Sequence, residues 1–218
     1  LWIFQKASNE VKWLQERGIT IWDEWQIDGN GMYNGKNYGR EFAGTIGTAY
    51  GYIVNKYNLM QKAIDTIKNN PSDRRNIVNL FQYETLEGGT LPPCVYMHQW
   101  LVNEDKLDII VYQRSCDVPL GFPFNVTQYA VLANLVAQVT GYKPGTMYWN
   151  IGSCHIYENQ IEGIKLQLSR KSEAKPAPKL WINSEISDFW AFDNSKELKD
   201  IKLIGYEHLG KIAMPVSV

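Results

Sequence analysis

Cys94 stands directly after Leu91-Pro92-Pro93. Two prolines fix the backbone ahead of it and would hold a thiol in one place. Such a thiol is either a buried packing residue or a nucleophile. A nucleophile needs positive charge nearby, because the thiolate is the form that attacks. Two arginine sources exist: Arg74-Arg75, just past a helix end at Pro71-Ser72-Asp73, and Arg114 in the run Arg114-Ser115-Cys116-Asp117. Arg and Ser together at a strand end can hold a phosphate by charge-assisted hydrogen bonds. The simpler readings are a surface ion pair between Arg114 and Asp117 and a solvated Arg74-Arg75 pair. Asn125 follows Pro123-Phe124. Its amide can cap a helix, or can read a pyrimidine edge with a donor and an acceptor at once. His155-Ile156-Tyr157 fits core packing or hydroxyl recognition. Spacing alone does not bring these groups together.

The elements that must position them are legible in part. Ala7, Val11 and Leu14 keep helical spacing, and Gly18 serves as a stop. A dense aromatic and acidic cluster follows at Ile19–Trp25. Residues 28–47 are rich in Gly, with turn signals Asn30-Gly31 and Asn34-Gly35, and read as a surface excursion; they lack a G-x-G-x-x-G dinucleotide loop. Ile53, Tyr57, Met60, Ile64 and Ile67 predict one helix with a buried stripe, ended by Asn69-Asn70-Pro71. Strands are predicted at Asn76–Phe81, Cys94–Leu101 and Leu107–Arg114. Val118–Tyr142 carries no charge for 25 residues. Its prolines and amides argue for a buried helix, from about Asn125 to Thr140, and against a membrane span. Tyr157, Ile161, Ile164 and Leu168 give another helical stripe, and residues 171–179 form an extended connector. Helices and strands mix without a strict βαβ rhythm, so the expected class is α+β. No repeat or boundary divides the 218 residues, which predicts a single domain over 1–218.

Composition removes several function classes. Lys+Arg number 22 and Asp+Glu 23, a net charge of −1, which excludes a general nucleic-acid binder that works by basic excess. The three cysteines, Cys94, Cys116 and Cys154, form no C-x-x-C and no zinc spacing with His98, His155 or His208. A disulfide framework, a metal site and a membrane anchor are therefore not expected, and a reducing, cytoplasmic setting is.

Taken together the motifs are specific. Leu91-Pro92-Pro93-Cys94, the run from Tyr112-Gln113-Arg114-Ser115-Cys116-Asp117 through Leu120-Gly121-Phe122-Pro123-Phe124-Asn125, and His155-Ile156-Tyr157 closely resemble thymidylate synthase. So do Ile21-Trp22-Asp23-Glu24-Trp25, Tyr50-Gly51, Ser72-Asp73-Arg74-Arg75 and the ending Met214–Val218. They occur in the family's order along the whole chain. The resemblance implies a large twisted mixed β-sheet with packed helices and a sheet-to-sheet homodimer. It implies reductive methylation of dUMP by 5,10-methylenetetrahydrofolate.

The same resemblance assigns roles. Cys94 is implied as the nucleophile at uracil C6, which makes C5 able to attack the folate methylene. Asn125 is implied to read the pyrimidine. Arg114 and Ser115 are implied phosphate ligands, within a nucleotide-binding run that includes Gln113, Cys116 and Asp117. Arg74 and Arg75 are implied to come from the partner subunit. His155, Ile156 and Tyr157 are implied on the ribose side, and Tyr50 in the water network near C5. Asp117 is implied to hold the pterin, with Trp22, Leu91, Leu120, Gly121 and Phe124 as the folate wall. The tail, including Ser217, is implied as a lid. Departures are Val95 where many members have His, Ser153 where Asp is usual, and a longer segment 28–47. The resemblance starts inside the family pattern, so a phosphate-binding Arg and a Glu near uracil O4 are expected upstream of Leu1. A pyrimidine hydroxymethylase of the same fold and an inactive truncated homologue are the alternatives; Asn at 125, rather than Asp, favours uracil over cytosine.

Overall fold

A computed structural model describes residues 1–217. The chain begins with a turn-rich segment in which only Lys12–Gln15 is helical (α1). The expected helix does not reach back to Ala7, whose φ of 48° is left-handed. Two short strands, Met32–Tyr33 (β1) and Lys36–Asn37 (β2), pair as a hairpin inside the Gly-rich excursion. Two helices follow, Gly51–Lys56 (α2) and Leu59–Asn69 (α3). The single helix predicted over this stripe is thus broken. Asn58 takes φ 51° and ψ 45°, a left-handed setting that Asn tolerates better than most residues. The stripe itself is buried on both sides of the break: Ile53, Met60, Ile64 and Ile67 are all in the core.

Ile77–Asn79 (β3) leads to a short helix, Tyr83–Leu86 (α4), and then to the long strands Val95–Asn103 (β4) and Lys106–Asp117 (β5). Helix α5 covers Gly121–Thr140, and strand β6 covers Lys143–His155. The main sheet has the order β3-β4-β5-β6, antiparallel except for the parallel pair β5/β6. One βαβ crossover, β5-α5-β6, is therefore present, and it does not extend into a βαβ rhythm along the chain. The remainder comprises helix α6 (Ile161–Ser169), a 3-10 turn at Lys171–Glu173 where the sequence predicted an extended connector, and an antiparallel ribbon of Lys179–Ile182 (β7) and Ile201–Ile204 (β8). A mixed sheet covered by helices is the α+β architecture expected.

Physical causes for these elements are local. In β5, Leu107, Ile109, Val111 and Gln113 alternate into the core, so one face of the strand is buried against α5. Helix α5 is apolar nearly all round and buries Tyr129, Leu132, Ala133, Leu135, Val136, Ala137 and Val139. It begins four residues earlier than predicted. Pro123 lies in its first turn, where a missing N–H costs nothing. Asn125 is consequently inside the helix and is not its cap. Gly141, at φ 82°, ends it in a left-handed turn, and Tyr142 N–H returns to the Ala137 carbonyl at 2.9 Å. Gly51 is required for space: a Cβ there would sit 1.9 Å from the Ser8 carbonyl oxygen.

His98, on β4, is fully buried with neither ring nitrogen bonded among the described residues. Phe4, Trp100 and Tyr129 surround it edge-on at 5.4, 5.5 and 5.3 Å. Burial pushes its pKa down to about 3. A neutral ring favoured by folding gives stability that is fully present above about pH 6.5 and lost as pH falls toward 3, by up to about 1.4 kcal/mol per unit. Urea titrations of the wild type at pH 7.5 and 5 should differ by about 2 kcal/mol from this residue. His98→Phe should remove that share of the difference. An unchanged pH slope in the variant would show that another group is responsible.

Candidate active site

The site assembles where the N-terminal ends of β4 and α5 meet the C-terminal ends of β5 and β6. Cys94 immediately precedes β4. Its carbonyl accepts the Arg114 N–H at 2.8 Å, which extends the β4/β5 ladder by one step. A register irregularity between Val95 and Met97 bends the strand just beyond it, and bulges of this kind re-aim neighbouring side chains. Arg114 Nε donates to the Pro93 carbonyl at 3.0 Å and one Nη to the Pro92 carbonyl at 2.8 Å. The same Nη lies 3.8 Å from Cys94 Sγ. The two prolines before the thiol thus do more than stiffen the chain. Their carbonyls hold the guanidinium beside the sulfur.

Tyr50 completes the cluster. Its hydroxyl accepts the Cys94 N–H at 3.0 Å. Its backbone sits at φ 47° and ψ −102°, strained for a residue with a side chain, and strain of this kind persists where surrounding contacts over-determine it. Burial raises the Cys94 pKa, and the Arg114 charge and the Tyr50 hydroxyl bond oppose that rise. Burial also drives the Tyr50 phenol far above its usual range, so Tyr50 stays protonated. Trp22 packs on Tyr50 at 5.3 Å between ring centres, and on Trp2 and Trp25 at 5.7 and 5.6 Å. The half-buried Trp22 is therefore two side chains from the thiol.

The other edge is set by the β5-to-α5 turn. Asp117 Oδ1 accepts the Leu120 N–H at 3.1 Å. Gly121 lies between Asp117 and Asn125: a Cβ built on it would be 3.8 Å from Asp117 Cβ and 3.9 Å from Asn125 Nδ2. The Asn125 amide makes no hydrogen bond among the described residues, and Phe124 beside it is 51% exposed. Across the parallel pair, Ser115, Cys116 and Asp117 align with Ser153, Cys154 and His155. His155 and Tyr157 stack edge-to-face at 5.0 Å. Ser153 Oγ lies 3.4 Å from His155 Nδ1, so the departure from Asp at this position leaves the imidazole a nearby polar partner.

Three expected site groups take other positions. Gln113 is 2% exposed, its Nε2 donating to the Ser115 carbonyl at 2.9 Å and its Oε1 accepting from Trp149 Nε1 at 3.0 Å. Cys116 has no exposed surface. These two side chains are committed to the protein, leaving their backbone and neighbours for a ligand. Arg74 and Arg75 are exposed after α3 and make no bond to Cys94, Arg114, Asn125 or His155. Leu91 lines a small cleft together with Ala49, Gly89 and Pro93, and Ile156 is 47% exposed. Sequence reasoning missed Gln160, which is fully buried and bonds Asp117 Oδ2 at 2.9 Å. The tail reaches the same region: Ser217 Oγ accepts from Asn159 Nδ2 at 2.9 Å. Val218, the last residue of that tail, lies outside the described residues. No cluster of His, Cys, Asp or Glu among the described residues could hold a metal, and no helix among them is long and apolar enough to cross a membrane.

The chain is similar to proteins of one family along its whole length. The family model for thymidylate synthase matches residues 1–218. The thymidylate synthase of Clostridium beijerinckii is 49% identical over 218 residues, covering all of this chain and 76% of that protein. The Bacillus licheniformis thymidylate synthase is 42% identical over 227 residues, covering all of this chain and 74% of the relative. Among solved structures, the thermostable thymidylate synthase A from Bacillus subtilis superposes with a TM-score of 0.85 at 40% identity, over all of this chain and 75% of the other. With a thiol held beside a guanidinium at the mouth of this sheet and relatives of this similarity along its whole length, the chain belongs to the thymidylate synthase family, a family of methyltransferases.

Proposed function

We propose that residues 1–218 form one catalytic domain that methylates dUMP to dTMP, using 5,10-methylenetetrahydrofolate. The observation that carries the reading is the Cys94–Arg114–Tyr50 cluster. Cys94 Sγ adds to C6 of the uracil, and the Arg114 charge favours the thiolate that does so. Adding sulfur at C6 places negative charge on the ring oxygen O4, which needs preorganised donors. The unbonded Asn125 amide supplies a donor to O4 and an acceptor to N3–H. Ser115 and Arg114 hold the 5′-phosphate, and His155 and Tyr157 face the ribose. Tyr50, held protonated, orders the water near C5.

The residues present fit a folate. Trp22, Leu120 and Phe124 retain exposed apolar surface, and Asp117 offers a carboxylate to the N–H groups of a pterin. Leu91 and Gly121 complete that wall, and Ser217 with its neighbours covers it. When bound, the folate supplies the methylene carbon and the hydride. The chain's part is to hold the ring against the pyrimidine and keep water out.

The partner is a second copy of the chain. One face of the main sheet carries Ile77, Gln99, Ile110 and Tyr148 in one row and Asn79, Met97, Tyr112 and Asn150 in the next, with Ile77 and Tyr148 45% and 52% exposed. Gln99 on this face donates to the Arg74 carbonyl at 2.7 Å, tying the arginine pair to it. Sheet-to-sheet pairing would bring Arg74 and Arg75 to the other subunit's phosphate. Free Cys94, Cys116 and Cys154 suit a reducing cytoplasm.

Product analysis with labelled dUMP tests the reading. The full-length protein should yield dTMP and dihydrofolate in equal amounts. Mainly 5-hydroxymethyl-dUMP with tetrahydrofolate would assign it instead as a hydroxymethylase.

A further inference from the structure

We infer that Gln160 is a positioning residue that couples closure of the C-terminal tail to the folate-facing carboxylate of Asp117; this rests on the proposed thymidylate synthase reading. Gln160 has no exposed surface, and both amide hydrogens and its oxygen are bonded. Nε2 donates to Asp117 Oδ2 at 2.9 Å and to the Pro215 carbonyl at 3.1 Å. Oε1 accepts the Tyr157 N–H at 3.2 Å. The orientation of the amide is forced, because a carboxylate and a carbonyl only accept and a backbone N–H only donates. One side chain thus joins the strand end that would hold the pterin, the residue that would face the ribose, and the tail.

The tail rests on the segment that carries Gln160. Arg170 Nη1 donates to the Leu209 and Gly210 carbonyls at 3.1 and 3.3 Å. Met214 covers Gly163 so closely that a Cβ there would be 2.7 Å from Met214 Cγ. Asn159 and Ser217 exchange bonds of 2.9 and 3.2 Å. Most of these contacts hold the tail to α6 and its approach. Gln160 alone among them also touches Asp117. Its two donor bonds share one nitrogen, so the tail is seated on the group that fixes the carboxylate. Seating of the tail at Pro215 and orientation of the Asp117 carboxylate then depend on the same amide nitrogen.

Three variants separate this role from simple folding. Gln160→Glu keeps an acceptor for Tyr157 and loses the NH₂ group that bonds Asp117 and Pro215 at once; buried against Asp117, the new carboxyl shares one proton with it, so at most one of the two donor bonds remains. Gln160→Met keeps the volume and loses every bond. Asn159→Ala loosens the tail at Ser217 without touching Asp117. In the full-length protein, Gln160→Glu and Gln160→Met should raise the KM for methylenetetrahydrofolate about tenfold or more. The dUMP dissociation constant of Gln160→Glu should stay within about threefold, since its Tyr157 bond remains. Release of C-terminal residues by carboxypeptidase, measured without ligands, should speed up in all three. Asn159→Ala should leave the folate KM closer to wild type than either Gln160 variant does. Equal weakening of dUMP and folate by Gln160→Glu, or unchanged tail release in both Gln160 variants, overturns the inference. Failure of the unmutated protein to make dTMP would overturn the functional reading instead, and the tail-release measurement still decides the link between Gln160 and the tail.

Discussion

Cys94→Ala in the full-length protein should abolish dTMP formation, by on the order of 10⁴-fold or more, while dUMP binding measured by calorimetry stays within a few-fold. The asymmetry follows from the site. The thiol is the one group that must form a covalent bond, and removing a nucleophile removes the route itself. The nucleotide's binding groups lie elsewhere: Arg114 is anchored by the Pro92 and Pro93 carbonyls, which alanine at 94 leaves in place. The other cysteines serve as internal controls. Cys116 is fully buried behind the site and Cys154 is exposed, so alanine at either should leave turnover near wild type. Cys116→Ala should show only the modest stability loss of a small core truncation, about 1 kcal/mol. Substantial turnover by Cys94→Ala would remove the covalent mechanism, and loss of activity in Cys154→Ala would point to a second functional thiol.

Arg114 sharpens the same expectation. Burial and the guanidinium pull the Cys94 pKa in opposite directions, with burial the larger influence. The thiol is therefore the dominant form in the free site at neutral pH, the thiolate fraction grows as pH rises, and the guanidinium limits how far burial delays that growth. This balance depends on geometry that sequence does not carry. The Leu91-Pro92-Pro93-Cys94 and Arg114-Ser115 motifs identified the participants. The carbonyl acceptors that lock the arginine are backbone groups, which no residue type reveals.

Legibility elsewhere follows the same division. The buried alternation Leu107, Ile109, Val111 marked β5 because a half-buried strand prints its period on the sequence. Strand β6 left a fainter mark. It opens with Lys143, Pro144 and Gly145, and its apolar alternation at Met147, Trp149 and Ile151 is only half-buried. The break between α2 and α3 was hidden because the apolar stripe continues across it; the left-handed Asn58 interrupts the backbone without interrupting the pattern. Gln160 gave no signal at all. Its partners lie 3, 43 and 55 residues away, so its role exists only after the β5 end, α6 and the tail have met. Motif residues are recognisable in sequence once the motifs are read together, whereas residues that position them depend on the assembled fold.

Mixed dimers should recover activity that neither parent possesses. Consider one full-length chain with Arg74→Ala and Arg75→Ala, and another with Cys94→Ala. Each homodimer should be poor: the first has thiols without the partner's arginines, the second arginines without thiols. Loss of two charge-assisted phosphate contacts alone should lower kcat/KM by about 10²-fold or more. In the heterodimer, the chain with intact Cys94 receives intact arginines from its partner, and the opposite site lacks both. Isolated heterodimers should therefore show about half the wild-type activity, and a random equal mixture of chains about one quarter. The structure supplies the reason to expect exchange across subunits. Both arginines are exposed, Arg75 clamped only by Asp73 at 3.0 and 3.1 Å, a surface contact that orients the side chain and adds little stability. Buried bonds set the loop behind them: Asn76 Nδ2 donates to the Ala63 carbonyl at 3.1 Å, and the Asn76 carbonyl accepts from Trp100 N–H at 3.0 Å. The pair is thus presented beside the open sheet face, without a bond, among the described residues, to the phosphate ligands of its own chain. Verified heterodimers without activity, or a fully active Arg74→Ala, Arg75→Ala homodimer, would place the second half of the phosphate site elsewhere.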